Sequence, residues 1–595
     1  MKKIFYLSIV SLFATVSCTR ELDDLWENPN KYTPKPEHVI SGLFTNMQQT
    51  RFFKGDYGEW YWLLGSENSF IHHAQIITYV PYSASWCQWF EAYPYGDMSK
   101  YPSMVSGNHD RRFKALYSEL KNFGLIADEL SELSGAELDD NLIYGQLSTV
   151  IRNIVALQAV DLFNKIPFSE AYRGTHAMFF PKYDDGDEIY RSVIGDYKAI
   201  AEGLPAVYEK MSAKAKSTFA IQDIFFKGNV DKWVRFINAH RLKASIRISG
   251  VEGDFAKTHI AGAISKLPAE DLTFQCPDPN ENRLSNGAGG LIQRGWYEMH
   301  YMTCIPDVMM MRMNRGDSLY RVAEDDPRLP AIVCGHAIDS TFEKVEYTGV
   351  SMNWNRNRYL REKGIRVPRV VTPKGITMEN YVRRNEWNYY SPASFALNEL
   401  PLYLFSLGEI DLLLAETALK GLANTGKSAG EHVRDALVHS TDFWYMINAS
   451  PDYCGNMPTK VDAIVHPAKP DAAVIQRYAS TIQSEFNAAA GIEDKMEILM
   501  QQKYIHLNML QPYECFAELR RTRHPKLEPV TSGSLVNAVA MWERFKYPAS
   551  ELSTNFENYS KVSAEDNYTS PIFWVPKDKR NETYFMPKQL KPGLP

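Results

Sequence analysis

Gly228-Asn-Val-Asp-Lys-Trp-Val-Arg-Phe-Ile-Asn-Ala-His-Arg-Leu-Lys-Ala-Ser-Ile-Arg-Ile-Ser-Gly250 is the stretch on which the fold class turns. Trp233, Phe236, Ile237, Ala244 and Ile248 fall on one stripe of a helix, because residues three and four apart share a face. Asp231 stands near the start as an N-cap or first-turn acid, and Gly250 marks the stop. The same spacing recurs in Ile410, Leu413, Leu414, Thr417 and Gly421, and in Met496, Leu499, Met500, Tyr504 and Leu507. Leu142 to Phe163 is apolar but far too long for one strand. Asp187 to Ala201 reads as a helix opened by the turn Asp184-Asp185-Gly186.

Away from these blocks the periodicity fails. Residues 270–400 hold Asn286-Gly287-Ala288-Gly289-Gly290, Asp326-Pro327, Thr372-Pro373 and Ser391-Pro392, and read as loops and short strands. A second loop-rich region, dense in aromatics, lies near 55–110. No clear repeat of about 34 residues is visible, which leaves open a degenerate helical-repeat array that keeps its shape without its signature. The length of 595 residues suggests about four domains on size alone. The helical pattern instead predicts one large scaffold carrying two insertions.

Composition narrows the class. Hydrophobic residues make up 45% and charged residues 23%, which excludes a disordered, collagenous or disulfide-dense chain. The formal charge of -6 gives no electrostatic footprint for nucleic acid. Aromatics are prominent, with 12 Trp, 34 Tyr and 29 Phe.

The first residues carry an address. Lys2 and Lys3 form a positive n-region, and Ile4 to Val16 is mostly apolar but too short to span a membrane. The segment ends Ala14-Thr15-Val16-Ser17-Cys18, which resembles the lipobox of bacterial lipoproteins, with Thr15 where most have Leu. That resemblance implies cleavage of residues 1–17 and acylation of Cys18. The alternative is an ordinary cleaved signal with an incidental cysteine. Glu21, Asp23 and Asp24 resemble the export signal that sends lipoproteins of the Bacteroidetes to the cell surface; a solvated charged tether reads equally well there. No later window is apolar for long enough to span, so the lipid is the expected membrane attachment. The six remaining cysteines include no C-x-x-C pair, so neither a zinc knuckle nor a redox motif is expected. Most are expected to be buried small hydrophobes, although an exported chain can form disulfides.

Several further patterns are similar to one family along the mature chain. Asp161-Leu-Phe-Asn-Lys-Ile-Pro-Phe-Ser-Glu-Ala171 resembles its "I-P-[YF]-S-E-A" segment, and Pro181-Lys-Tyr-Asp184 with Glu188-Ile-Tyr190 its "P-x-Y-D … E-I-Y". Gly228 to Trp233 with Arg241 to Ser249 resembles "G-D-x-x-K-W … R-L-x-x-x-x-R-I-S". Asp326 to Pro330, Gly408 to Glu416, Gln502 to Ile505, Glu518 to Thr522 and Arg544 to Pro548 continue the series. Their order identifies the chain as resembling the SusD/RagB-like nutrient-binding outer-membrane lipoproteins. Arg523-His524 departs from that pattern, where a Gly and an aromatic are more usual, and reads as a changed turn near a surface. The resemblance implies a mainly α fold: tetratricopeptide-like helix pairs as scaffold, loop-rich insertions and few short strands. It also implies a ligand site on the loops and a SusC-like, TonB-dependent transporter as partner, with this protein as the lid over its mouth.

Motifs of chemistry are sparse. Gly421-Leu-Ala-Asn-Thr-Gly426-Lys427-Ser428 fits the phosphate-binding loop G-x-x-x-x-G-K-[ST]. That loop needs a strand before it and a helix after it, whereas Glu409 to Lys420 has a helical stripe. It therefore reads as a helix end and an inter-helix loop. Neither G-x-S-x-G nor H-E-x-x-H occurs. Asp184-Asp185 and Asp325-Asp326 are candidate acid pairs in principle, but each sits before Gly or Pro and suits a turn better. Asp184-Asp185-Gly186-Asp187 lacks the full calcium-loop pattern, and adjacent His72-His73 point apart in most backbones, so no metal and no cofactor is expected.

The stronger signal is aromatic residues outside the periodic helices. Trp60, Tyr61, Trp62, Trp86, Trp89, Tyr93 and Tyr95 crowd the first loop region. Trp296, Tyr297, His300, Tyr301, Trp354, Tyr359, Trp387, Tyr389 and Tyr390 crowd the second. Flat rings stack on the C–H face of a sugar or on a peptide side chain, and nearby amides and guanidinium groups read its polar groups. The competing role for each is a small loop core. Family analogy favours Trp86, Trp89, Trp296 and Tyr301, with Asn68 and Arg294 as polar helpers; none is carried over by motif. The expected function is a non-enzymatic, surface-facing outer-membrane protein that captures an oligomeric nutrient, oligosaccharide preferred. Peptide capture, a surface glycosidase or peptidase, and a purely structural assembly protein are the alternatives.

Overall fold

The stretch that opens the sequence argument folds as one helix, Val230–Ile248. Asn229 is its N-cap, its side chain accepting from the Lys232 N–H at 3.0 Å, while Asp231 is the first-turn acid. Gly228 precedes the cap with φ 78°, a left-handed turn that glycine adopts without strain. All five stripe residues are buried. Burying one such side chain stabilises by about 1.5–3 kcal/mol, so the stripe commits this helix to the interior.

The computed structural model describes residues 39–52, 91–92, 113–114, 116–118, 120–274, 303–315, 320–337, 345–347, 349, 389–395, 402–449, 466–508, 511–529 and 543–587. The longer helices, in chain order, are α1 (Val39–Phe52), α2 (Asn122–Ser131), α3 (Gly135–Phe163), α4 (Gly186–Lys210), α5 (Ala213–Gln222), α6 (Val230–Ile248), α7 (Gly253–Ala263) and α8 (Asp307–Met313). The series continues with α9 (Leu407–Leu419), α10 (Ala429–Asn448), α11 (Ala472–Ala488), α12 (Ile492–Leu507) and α13 (Pro512–Thr522). The fold is mainly α. Described strands run two to four residues and pair as two-stranded antiparallel ribbons.

Neighbouring helices pack in sequence order. α1 lies on α2, α3 and α5, α3 on α4, and α6 between α4 and α7. In the second half α9 packs on α10, α10 on α11, and α12 returns against α9. The α9–α10 pair is an antiparallel hairpin, since Gly408 abuts Ser440 and Asp411 binds His439 at 2.6 Å. The halves join where α6 meets α9 and α13 meets α3. One apolar core runs from Ile40 to Tyr584, and a second cluster, with Leu412, Leu437, Ile482 and Leu499, fills the space among α9 to α12. The 543–587 segment folds back over the end of α3: the Phe545 N–H donates to Leu162 O and the Trp574 indole to Asp161.

Two expectations are corrected. The 270–400 region holds α8 and the helical turns Leu329–Ile332 and Pro392–Phe395 as well as strands. Val308 to Met313 spans fewer than two turns, too short for a periodicity reading to stand out. The Arg523-His524 turn is buried, with Arg523 0% exposed. Arg523 takes the left-handed position at φ 64° that glycine usually fills. Its guanidinium is placed by Glu543 at 2.8 Å and by the Lys579 carbonyl, and His524 sits between Glu493 and Glu497.

Candidate functional site

Cys18, Asn68, Trp86, Trp89, Arg294, Trp296 and Tyr301 lie outside the described residues, as do His72 and His73. The structure does describe the junction next to four of them in sequence. Strand β1 (Glu91–Ala92) begins two residues after Trp89, and β2 (Thr303–Cys304) begins two residues after Tyr301. The two strands pair antiparallel, Glu91 opposite Cys304 and Ala92 opposite Thr303. Two loop regions separated by some two hundred residues in sequence are thus joined by backbone hydrogen bonds. β2 runs straight into the core, since Ile305 is fully buried and α8 follows with Val308, Met309 and Met313 inside.

One aromatic of the second group is settled. Tyr390 is 0% exposed on a strand, Tyr389–Tyr390, that pairs with Val333–Cys334. Burial pushes its phenol pKa well up. It is loop core, the competing role for every residue of that set.

The family-like motifs converge elsewhere, on a buried polar network inside the scaffold. Arg247 of α6 donates to Glu514 at 2.6 Å and faces Glu518 at 3.3 Å, both on α13. Lys503 of α12 faces Glu518 at 3.3 Å. Arg521 bridges Glu518 and Glu416, and Lys420 closes on Glu416 at 2.6 Å. Lys243 reaches Glu409 at 3.0 Å. Burial opposes ionisation of Glu416, yet Arg521 and Lys420 outweigh it and hold its carboxyl down to about 2. Asp161 goes the other way: burial raises its pKa, and it accepts from Tyr190 and Trp574. Asp184, expected in a turn, lies instead on a short strand, Tyr183–Asp184, paired with Ile166–Pro167, and ties two motifs together by accepting from the Phe168 and Ser169 N–H groups. Asp326 is more than a turn residue, being fully buried and paired with Arg328 at 2.6 Å. These residues position helices.

Chemical alternatives can be tested on geometry. Ser406, His506 and Ser440 form a chain at 2.6 and 2.8 Å that superficially suits nucleophilic catalysis. All three are buried, and burial with nearby Arg328 and Lys503 lowers the His506 pKa to about 3, which keeps the imidazole neutral but leaves it too weak a base to activate a hydroxyl well. Ser406 also caps α9. The phosphate-loop match is a helix–loop–helix joint, as its stripe predicted. α9 precedes it, Ser428 and Glu431 form a capping box on α10, and Lys427 pairs with Asp435 at 2.7 Å. Among the described residues no cluster of three or more His, Cys, Asp or Glu can hold a metal ion. Cys515 is buried, as expected, and Cys334 is half-buried.

The sequence model of the SusD-like family, described as "Starch-binding associating with outer membrane", matches residues 78–548. The chain belongs to this SusD-like family. The family comprises non-catalytic binding proteins, so the chain is not an enzyme. A chitin-binding protein superposes with a TM-score of 0.63 at 19% identity, covering 91% of this chain and 100% of its own. A SusD homologue from Bacteroides vulgatus gives 0.63 at 15% identity, with 90% and 98% covered. A chitin-binding SusD homologue from Flavobacterium johnsoniae gives 0.59 at 18%, with 92% and 100% covered. At these identities the likeness shows the fold. No curated protein matches the chain by sequence. Among the described residues no helix is long and apolar enough to cross a membrane.

Proposed function

We propose that this SusD-like protein captures an oligosaccharide at the outer cell surface and hands it to a SusC-like, TonB-dependent transporter. The observation that carries the reading is the family match across residues 78–548. In this reading residues 1–17 are a removed signal, a lipid on Cys18 holds the chain to the outer membrane, and residues 18–595 act as one SusD-like domain. The ligand lies where the 55–110 and 270–400 loops meet. Trp86, Trp89, Trp296 and Tyr301 stack on sugar rings, and Asn68 and Arg294 bind hydroxyls. The pairing of Glu91–Ala92 with Thr303–Cys304 supports one shared site over two separate ones. Two solved relatives are chitin-binding, which makes chitin fragments the first glycans to try.

Isothermal titration of the mature chain against chitin and starch oligosaccharides and a peptide pool tests the ligand class. Heat with a glycan series is expected. Heat with peptides alone overturns the oligosaccharide assignment in favour of peptide uptake. Co-purification from detergent-solubilised outer membrane tests the partner, and recovery of the protein without any barrel counts against hand-over.

A further inference from the structure

Beside the charged network, α3, α4, α6 and α13 leave a cavity of about 50 Å³. Tyr197, His240, Lys243, Arg247, Asp161 and Glu514 are among the groups that line it. Tyr197 is 0% and Arg247 2% exposed. Among the described residues the Tyr197 hydroxyl, Arg247 Nε and His240 Nε2 have no hydrogen-bond partner. A buried donor without an acceptor is strongly disfavoured, and native interiors resolve it with protein or ordered water.

The charge balance decides what fits. Arg247 already faces Glu514 and Glu518, and Lys243 already faces Glu409 and Glu514. Asp161 is engaged by the Tyr190 hydroxyl and the Trp574 indole. Every charged group at the wall therefore already has a partner, and the lining's two acids and two bases, Asp161 and Glu514 against Lys243 and Arg247, leave an added ion no net opposite charge. What remains are directional groups that want a small neutral partner able both to donate and to accept. The room suits about three to five waters, at roughly 10–15 Å³ each.

We infer that this cavity is a binding site for a small cluster of ordered water, held by Tyr197 Oη, Arg247 Nε and His240 Nε2. The cluster completes the hydration that the buried guanidinium loses and fixes the junction of α4 with α6. Burial and neighbouring Lys243 push the His240 pKa well down, which keeps the imidazole neutral and able to share a proton either way with water.

A crystal structure of the mature chain at high resolution is the direct test. Discrete water density within hydrogen-bond reach of Tyr197 Oη and Arg247 Nε is expected; an empty cavity, or density of a bound ion, overturns the inference. Ala244 is buried on the cavity wall, so Ala244→Leu gives a sign test. Filling a dry cavity raises the melting temperature, while evicting water from a wet one strands Arg247 and lowers it. Because a leucine there can also overpack, Tyr197→Phe serves as the second variant. It is expected to lose one water in its crystal structure and to melt about 1–3 °C lower. An unchanged density pattern in Tyr197→Phe overturns the assignment.

Discussion

Arg521 on α13 and Glu416 on α9 form a two-point ion pair, with N···O distances of 2.6 and 2.8 Å and side chains only 3% and 1% exposed. The pair fastens the last of the longer helices to the helix that opens the second half of the scaffold. Removing one member of a buried pair leaves an uncompensated charge, which costs about 3–5 kcal/mol. Arg521→Met is therefore expected to lower the unfolding free energy by about that amount. Arg521→Met combined with Glu416→Leu should cost less than the sum of the single changes, because the two share one interaction. Chemical denaturation of the three variants checks this, and strict additivity would rule out the coupling.

The same network sets an acid limit. Burial works against ionisation of Glu416, Glu514 and Glu518, but Arg521, Lys503, Arg247 and their neighbours outweigh it. All three carboxyls are held below the ordinary 4.5, Glu416 at about 2. A depressed folded-state pKa contributes stability that is fully present above the unfolded value and is lost as pH falls through the folded one. The melting temperature should thus begin to fall below about pH 4.5 and continue falling towards pH 2. Glu416→Gln should start lower and show a shallower acid limb in calorimetry. An acid limb of unchanged slope would mean that Glu416 carries none of it.

The phosphate-loop look-alike predicts an absence of effect. Lys427 is half-exposed and pairs with Asp435 at 2.7 Å, an exposed type of bridge worth at most about 1 kcal/mol. Ser428 caps α10, so Ser428→Ala should cost about 1 kcal/mol. Lys427→Ala should leave stability within that margin and leave glycan binding untouched. ATP binding by the parent chain that disappears in Lys427→Ala would reverse the reading.

How far the sequence could be read follows from these residues. Trp233, Phe236, Ile237, Ala244 and Ile248 announced their helix because burial repeats with the helical period. Arg247 sits among them and is just as buried, yet its partners Glu514 and Glu518 lie more than 250 positions away. Only the joining of the two halves supplies that partnership, so a periodicity reading assigns such a charge to solvent. The ordered motifs containing Asp161, Arg247, Glu416 and Glu518 identified the family because they form the scaffold's shared interior. For the same reason they do not mark the ligand. Loop aromatics follow no period, and Tyr390 shows that some of them are core.

The loop tryptophans are the place to test ligand binding. Trp89→Ala and Trp296→Ala are each expected to weaken oligosaccharide binding about tenfold, the loss of about 1.4 kcal/mol, with the far-ultraviolet spectrum and melting temperature preserved. Normal affinity in both variants would place the site elsewhere.

A site shared between the two loop regions makes the ribbon between them a control point distinct from any ligand contact. Ala92 and Thr303 are opposite each other in that ribbon. Proline has no N–H to donate to a ladder, so Ala92→Pro and Thr303→Pro should each loosen the joint. The scaffold's melting temperature should change little, because α3, α6 and α9 to α13 pack without this ribbon. Affinity for oligosaccharide should fall in both variants, measured by the same titration, since the two aromatic groups would no longer be held in register. A ribbon that only decorates the surface would give melting and binding curves identical to the parent chain, and two separate loop sites would then be the better description.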